Sequence, residues 1–350
     1  GEALRVRGLT DTAAGLPTAA LADEILTPGE GQVRALFVIG GNPLLSWPNQ
    51  EKTRRALESL ELLVVIDPML SATARHAHYV IGPRLGFESP AITFGNEGIT
   101  VYGLSLGYPE PYAQYQPALI EPPAGSDVLE DWRIFFELGR HMGLPLAFRG
   151  QPFDMASPPT TDQLLEAFVA KSRVPLEEIK RHPHGAIFPD PKPLADPKPL
   201  DWPHRLQLAA TSMMRELTAV AAALPIAAEQ IDRDYPWLLV TRREHAVYNS
   251  VGQRLPALRK RLSHNPAYVH PEDADALGLL DDMPIEIESR HGRTRARVRL
   301  ADDIRRGVIS LAHGFEDANP AALIDDASSF DALSGLPRMS AIPVRILRAG

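Results

Sequence analysis

Cysteine is missing from all 350 residues, and that absence excludes several chemistries at once. There can be no disulfide, no thiolate ligand for zinc or an iron–sulfur cluster, and no cysteine nucleophile. It says little about compartment, because chains without cysteine occur on both sides of a membrane. Positive charge is also in short supply: 36 Lys and Arg against 44 Asp and Glu leave a net charge of −8. That balance argues against a nucleic-acid backbone as the main partner, while a local basic pocket could still take a single anionic cofactor. No apolar run approaches the roughly 18 residues that would span a bilayer, and the first residues lack the charged-then-apolar pattern of a leader. No GxSxG elbow is present and nothing orders a Ser/His/Asp set, so no catalytic residue is assigned.

What is present fits an ordinary globular protein. Apolar residues make up 44% and charged residues 23%, too apolar a mixture for disorder. The length suggests two domains, large enough to bury a core without metal or disulfide. Proline is the surplus, with 33 residues, nearly twice the usual share of about 5%.

The chain divides by pattern. Ala35 to Ile39 is a short continuous apolar run ending at Gly40-Gly41, which reads as a parallel strand buried on both faces. Asn49 is placed to cap a helix up to Glu61, and Leu62 to Ile66 is a second strand ending at Asp67-Pro68. Strand, helix and strand at this spacing make a βαβ unit. Tyr79 to Ile81 reads as a further strand. Ser126 is placed to cap a helix through Leu129, Trp132, Phe136 and Leu138 to Met142, stopped by Gly143. Residues 145–205 form an irregular, proline-rich excursion, with short helices at Thr161 to Lys171 and Pro175 to Arg181. His182 to Pro203 reads as extended and carries the duplication DPKPLADPKPL. Thr211 to Leu224 returns to helix, with Pro225 as its stop. Beyond Ile231 strands dominate: Trp237 to Val240, a hairpin of Ile285 to Glu288 with Ala296 to Leu300 about His291-Gly292, and Val308 to Ala312. The domains expected are therefore 1–230, α/β, and 231–350, β-rich and the size of a small barrel.

Two motifs carry chemistry. Gly40-Gly41-Asn42-Pro43 lies where the first parallel strand ends, the usual ligand edge of an open α/β sheet, and glycines there let backbone N–H groups approach a phosphate. Asp67 ends the neighbouring strand and could accept from a ribose or a guanine edge. The plainer alternative is a pair of turns, Gly-Gly-Asn and Asp-Pro. Thr241-Arg242-Arg243-Glu244-His245 directly follows a strand, with Tyr248-Asn249-Ser250 just beyond. Adjacent guanidinium groups beside hydroxyl and amide donors suit a pyrophosphate, and the alternative is a solvated charged loop. His76/His78 and His182/His184 each look like half a metal site without its other half, so they read as surface histidines and no metal ligand is assigned.

Taken in order, these stretches resemble a known family. RALFVIGGNPLLSWPN, LLVVIDPMLSATARHAHYVIGP, Glu88 and GNEG resemble the third domain of molybdopterin oxidoreductases of the dimethyl sulfoxide reductase superfamily. YPWLLVTRREHAVYNS, YVHPEDADALGLLDD, the hairpin, GVISLAHGF, and a tail with Asn319, Leu323, Asp331 to Gly335 and Pro343-Val344 resemble its molybdopterin-dinucleotide-binding barrel. The resemblance implies a Rossmann-like parallel-sheet domain followed by a six-stranded barrel of double-psi type. It implies molybdopterin guanine dinucleotide as cofactor, with molybdenum or tungsten held by upstream domains and no iron–sulfur cluster in this chain. It places Gly41, Asn42, Asp67 and Asp131 at the guanosine in the α/β half. It places Thr241, Arg242, Arg243, Glu244, His245, Asn249 and Ser250 at the other end, with Asn319 and Arg338 closing over it.

The pattern departs at Ala77-His78 for Ala-Asp, Gly82-Pro83 for Leu-Pro, Asp282-Met283 for Gly-Asp, and Ser89 for lysine. The expectation is thus a carboxy-terminal, cofactor-binding portion of a formate dehydrogenase-like or nitrate reductase-like enzyme, inactive alone. Its partners would be the upstream domains of the same polypeptide and electron-transfer subunits, in the cytoplasm, with any export signal upstream. Two other readings stand beside it. One is a non-catalytic relative such as the large cluster-carrying subunit of NADH dehydrogenase, which need not keep Thr241 to Arg243, Asn249 and Asn319. The other is a stand-alone nucleotide-binding module.

Overall fold

The structure, a computed structural model, describes residues 3–10, 15–93, 112–189, 198–203, 208–229, 232–245, 247–327, 330–331 and 335–349. The GNEG motif, most of the DPKPLADPKPL duplication and residues 332–334 of the tail lie outside the described residues.

The chain opens with a short helix α1 (Leu21–Leu26), strand β1 (Ala35–Ile39), helices α2 (Pro43–Ser46) and α3 (Gln50–Ser59), then β2 (Leu62–Ile66) and β3 (Tyr79–Ile81). The three strands form one sheet in the order β1-β2-β3. β2, flanked on both sides, is buried from Leu63 to Ile66. β1 departs from the expectation of burial on both faces: among the described residues it is an edge strand, and Ile39 is 50% exposed. A continuous apolar run does not distinguish an edge strand from a central one, because the missing neighbour leaves no mark on the strand itself. Asn49 caps α3 as its position suggests, its side chain accepting from the Lys52 N–H at 3.1 Å.

Residues 82–206 hold β4 (Ala91–Ile92), β5 (Tyr112–Ala113), β6 (Tyr115–Gln116), helix α4 (Asp131–His141), β7 (Ala147–Phe148), β8 (Gln151–Pro152), α5 (Thr161–Val169), α6 (Leu176–Lys180) and β9 (Ala186–Ile187). The strands pair only as short ladders, β4 with β6, β5 with β9 and β7 with β8. Aromatic edges pack Trp132 on Phe136 and Phe136 on Phe153, and Thr160 with Gln163 forms a capping box on α5. α4 starts at Asp131 and not at Ser126, whose own N–H closes a turn onto the Pro123 carbonyl. Pro122-Pro123 favours that turn over a helix start. His182 to Gly185 and Pro199 to Trp202 close hydrogen-bonded turns, so these parts of the proline-rich stretch are not extended throughout.

The chain then enters α7 (Thr211–Glu229), which runs past Pro225. A helix-interior proline removes one hydrogen bond and costs about 3 kcal/mol, and the alanines at 221–223 and 227–228 favour helix on both sides of it. β10 (Trp237–Arg242), α8 (Pro256–Arg259), β11 (Pro266–Val269), α9 (Pro271–Leu277), β12 (Pro284–Glu288), β13 (Arg293–Leu300), β14 (Val308–Ala312) and β15 (Ile342–Arg348) follow. Six of these strands close into a barrel in the order β10-β14-β11-β13-β12-β15. β10 with β14 and β11 with β13 are parallel, and the other neighbours are antiparallel. Alternation builds the interior: Leu239, Ala267, Val269, Ile285, Ile287, Val298, Ile309, Leu311 and Val344 are buried, while on β13 the residues between them are more exposed and on β14 Ser310 and Ala312 are covered as well.

The fold divides into two compact units. One comprises Gly1–Val65, Leu70–Val80 and Gln207–Gly350, and the other Ile66–Met69 and Ile81–Leu206. Within the first, the α/β segment and the barrel are tied by polar contacts. Asn319, 2% exposed, donates to the Leu45 carbonyl at 3.1 Å and accepts from the Ala321 N–H at 3.0 Å. Asp326 accepts from Asn49 at 2.9 Å and pairs with Lys52, which also pairs with Asp23 at 2.5 Å. Burial alone would raise the Asp326 carboxyl, but the hydrogen bonds from Lys52 and Asn49 outweigh it and hold the group below the ordinary value.

A carboxyl depressed in the folded state stabilises above its unfolded value near pH 4 and loses that contribution as pH falls through the lower, folded value. We expect Asp326→Asn to destabilise by about 2 kcal/mol at pH 7. Thermal denaturation should show the gap between variant and parent closing below about pH 4. A gap that is constant with pH would contradict this.

Candidate functional site

The carboxyl end of β10 and the carboxyl end of β14 lie side by side because the two strands run parallel in the register Thr241 to Leu311 and Arg242 to Ala312. The next residues along, Arg243 and His313, therefore meet at one rim of the barrel. Arg243 Nη1 donates to Asn249 Oδ1 at 2.6 Å and lies 3.0 Å from His313 Nε2. Asn249 Oδ1 is itself 3.0 Å from that ring nitrogen. Asn249 sits at a positive φ of 54°, and its loop presses on Gly314, whose φ is 81°. A Cβ at Gly314 would come within 2.3 Å of the Asn249 carbonyl oxygen. Only glycine accommodates both the left-handed backbone and that approach. Gln253 seals the same loop, donating to the Gly314 carbonyl at 2.5 Å and accepting from the Glu316 N–H at 3.2 Å.

Successive residues of a strand point to opposite sides, and the adjacent arginines divide accordingly. The Arg242 guanidinium lies 3.7 Å from the Tyr268 ring centroid. Its Nε is 3.1 Å from Glu244 Oε1, close enough for ion pairing but without an aligned hydrogen bond. Burial, followed by the charge of Glu244, lifts the Tyr268 hydroxyl above its ordinary value. Arg242 and Glu244 thus serve one another and the barrel wall. Arg243 is exposed; its Nη1 is held, and its Nη2 and Nε carry no partner among the described residues. That open edge is the one a guanidinium uses for bidentate contact with phosphate or carboxylate oxygens.

The other sequence-derived candidates fall in several places. Thr241 approaches Ser340, 3.3 Å between hydroxyl oxygens, and Arg338 Nε donates to the Ser340 carbonyl at 3.2 Å, so both join the β10 end of the rim. Ser250 is part of the Asn249 loop and His245 is exposed in the preceding turn. Asn319 is buried with both side-chain polar atoms bonded inside the protein. Gly40 has a φ of 56°, Pro43 is buried at the start of α2, and Asn42 accepts from the Thr73 hydroxyl at 2.8 Å. Asp67 accepts from the Met69 N–H at 2.8 Å. Asp131 begins α4, its carboxyl raised by desolvation.

Links between the segment 70–75, which follows β2, and the barrel run through Glu316. It pairs with Arg75 at 2.8 Å and Arg254 at 2.6 Å, and Arg254 also donates to the Leu70 carbonyl at 2.6 Å. His78 accepts from the Leu63 N–H at 2.8 Å and His76 lies 3.3 Å from Glu58, so both have local structural roles. No group of three metal-ligating side chains occurs among the described residues, and no helix among them is long and apolar enough to cross a membrane.

His313, Gln253, Tyr268, Ser340 and Thr73 are the residues that sequence reasoning does not single out. His313 carries a signal all the same: it is the first polar residue after the Val308–Ala312 run, as Thr241 is after Trp237 to Val240.

Residues 237–343 match the family described as Molydopterin dinucleotide binding domain. Over 93% of its length the chain is 25% identical to the F420-dependent formate dehydrogenase subunit alpha of Methanocaldococcus jannaschii, covering 45% of that protein. It is 23% identical, over 91% of its length, to the assimilatory nitrate reductase catalytic subunit of Bacillus subtilis, covering 42%. Among solved structures, acetylene hydratase from Pelobacter acetylenicus superposes over 95% of the chain with a TM-score of 0.69 at 20% identity, covering 46% of that protein. The last likeness is one of fold. The chain spans a little under half the length of these relatives.

The two arginines differ in what their loss should do. Arg242→Ala removes a stacked, paired guanidinium and strands Glu244, and should destabilise by about 2 kcal/mol. Arg243→Ala leaves groups that water can reach and should cost under about 1 kcal/mol. Thermal midpoints compare them directly, and a larger loss for Arg243→Ala would contradict the assignment.

Proposed function

We propose, from the premise that residues 237–343 are a molydopterin dinucleotide binding domain in a homologue of the formate dehydrogenases and nitrate reductases of the dimethyl sulfoxide reductase superfamily, that this chain is the cofactor-binding portion of a molybdenum or tungsten oxidoreductase. The carrying observation is the open edge of Arg243, held by Asn249 and His313 at the barrel rim. A pyrophosphate needs donors that are already aimed, and a guanidinium fixed through one nitrogen offers its other two without further ordering. Thr241, His245, Ser250 and Arg338 supply further donors at that rim. The Gly40 to Pro43 loop gives close backbone approach for the guanosine end, and a carboxylate, which Asp67 and Asp131 of the other compact unit each carry, is the group that suits the N–H edge of guanine.

Arg242, Glu244 and Asn319 are assigned to holding the shape of the site: Arg242 stacks on Tyr268 and pairs in charge with Glu244, and Asn319 is bonded to Leu45 and Ala321. The cofactor, when bound, supplies two-electron exchange at its metal. The ligand of that metal and any iron–sulfur cluster, for which this cysteine-free sequence has no thiolate, are proposed to belong to residues outside this chain, and the chain alone is proposed to be inactive. Relatives named for formate, nitrate and acetylene share this region, so the features common to it do not select the substrate. Electron-transfer subunits are proposed as partners of the whole enzyme.

The reading predicts weak binding of GDP in preference to ADP by the 350-residue chain. Arg243→Ala should reduce GDP affinity about tenfold or more without lowering the thermal midpoint appreciably. Isothermal titration measures both ligands. Equal affinity for GDP and ADP with no effect of the substitution would remove the assigned pocket.

A further inference from the structure

His313 stands against both Arg243 and Asn249 at the barrel rim. His313 Nε2 lies 3.0 Å from both Arg243 Nη1, which only donates, and Asn249 Oδ1, which only accepts, and a bare Nε2 lets two acceptors converge on the guanidinium charge. The ring also hydrogen-bonds to the Arg242 main chain, and with Nε2 turned to Arg243 and Asn249 that bond falls to Nδ1–H. We infer that His313 is a positioning residue, kept neutral as the Nδ1–H tautomer, whose Nε2 and the amide oxygen of Asn249 each take one N–H of Arg243 Nη1 and so fix the plane of the fork that meets the phosphate. This rests on the nucleotide reading for its purpose but not for its geometry.

Three features favour a built arrangement over a chance contact. The parallel register of β10 and β14 sets the two residues side by side. Asn249 is held at positive φ by a loop that only Gly314 lets approach. The Arg243 nitrogen used is the one that leaves the bidentate edge open. The direction of the imidazole titration agrees: burial first, then the Arg243 charge, lowers it from the usual value. Arg243 is the charged group that acts on the ring among the described residues, and the Arg242 carbonyl and Asn249 facing it are neutral. Protonation would put a donor against a donor and release the fork.

The test is nitrogen-15 NMR of the histidine-labelled 350-residue chain, with H313Q identifying the resonance. The result expected at pH 7 is a neutral ring with the proton on Nδ1, and a titration midpoint that moves up in R243A. A ring protonated on Nε2, or charged, overturns the inference. GDP is the binding probe for the second arm. H313L should weaken it about tenfold and H313Q, whose amide oxygen can accept in place of Nε2, by no more than about threefold. H313L should add nothing to R243A. Equal damage from the Gln and Leu variants, or a full further loss in the R243A background, overturns it. If the parent chain binds no GDP, the nucleotide reading fails, while the tautomer and its response to R243A still decide the role of His313.

Discussion

Parallel pairing between β10 and β14 is the constraint on which the rim depends. In an antiparallel pair the carboxyl end of one strand meets the amino end of the other; here two carboxyl ends lie together, and each is followed at once by a polar side chain. The barrel needs a long return between such strands, and residues 243–307 supply it, carrying Asn249, Gln253, β11 and the β12–β13 hairpin on the way. The site is therefore made by the topology of the barrel, with Gly314 as the point where two of its loops touch.

The same economy of placement explains why only one of two adjacent arginines is free. Side chains alternate at a strand end, so Arg242 goes to the wall beside Tyr268 and Glu244 while Arg243 reaches the rim. Contacts outside the rim hold the α/β segment and barrel of the first unit together. Asn319, Asp326 and Glu316 each bring a polar group from the barrel to a partner in residues 42–76. The charges involved are paired on both sides, which is the condition for ion pairs of limited exposure to stabilise at all.

Much of this was legible in the residues, and the limits are physical. Period-two alternation at 285–288 and 296–300 suffices for the hairpin, because a half-wet antiparallel pair has no other pattern. Asn49 suffices for the start of α3, and the two short helices of the excursion fall near their expected places. Edge and centre are not distinguishable in β1, whose exposure at Ile39 depends on there being no second neighbour among the described residues. Ser126 looks like a cap because capping is chemistry of one side chain, yet the Pro122-Pro123 turn takes its backbone first. At the site, the rank of donors after β10 is readable, but the division of labour is not. That Arg242 is spent on Tyr268, and Asn319 on Leu45, depends on residues far along the chain. His313 lies within the GVISLAHGF stretch but becomes meaningful only once β14 lies parallel to β10.

The central claim is that this rim and the Gly40 loop hold a guanine dinucleotide form of the pterin cofactor. The most direct measurement is the nucleotide released by acid from the native product of the gene that encodes this chain. GMP should be released in near-stoichiometric amount to protein. A native product that releases no GMP would contradict it and leave the fold as a scaffold retained without its cofactor.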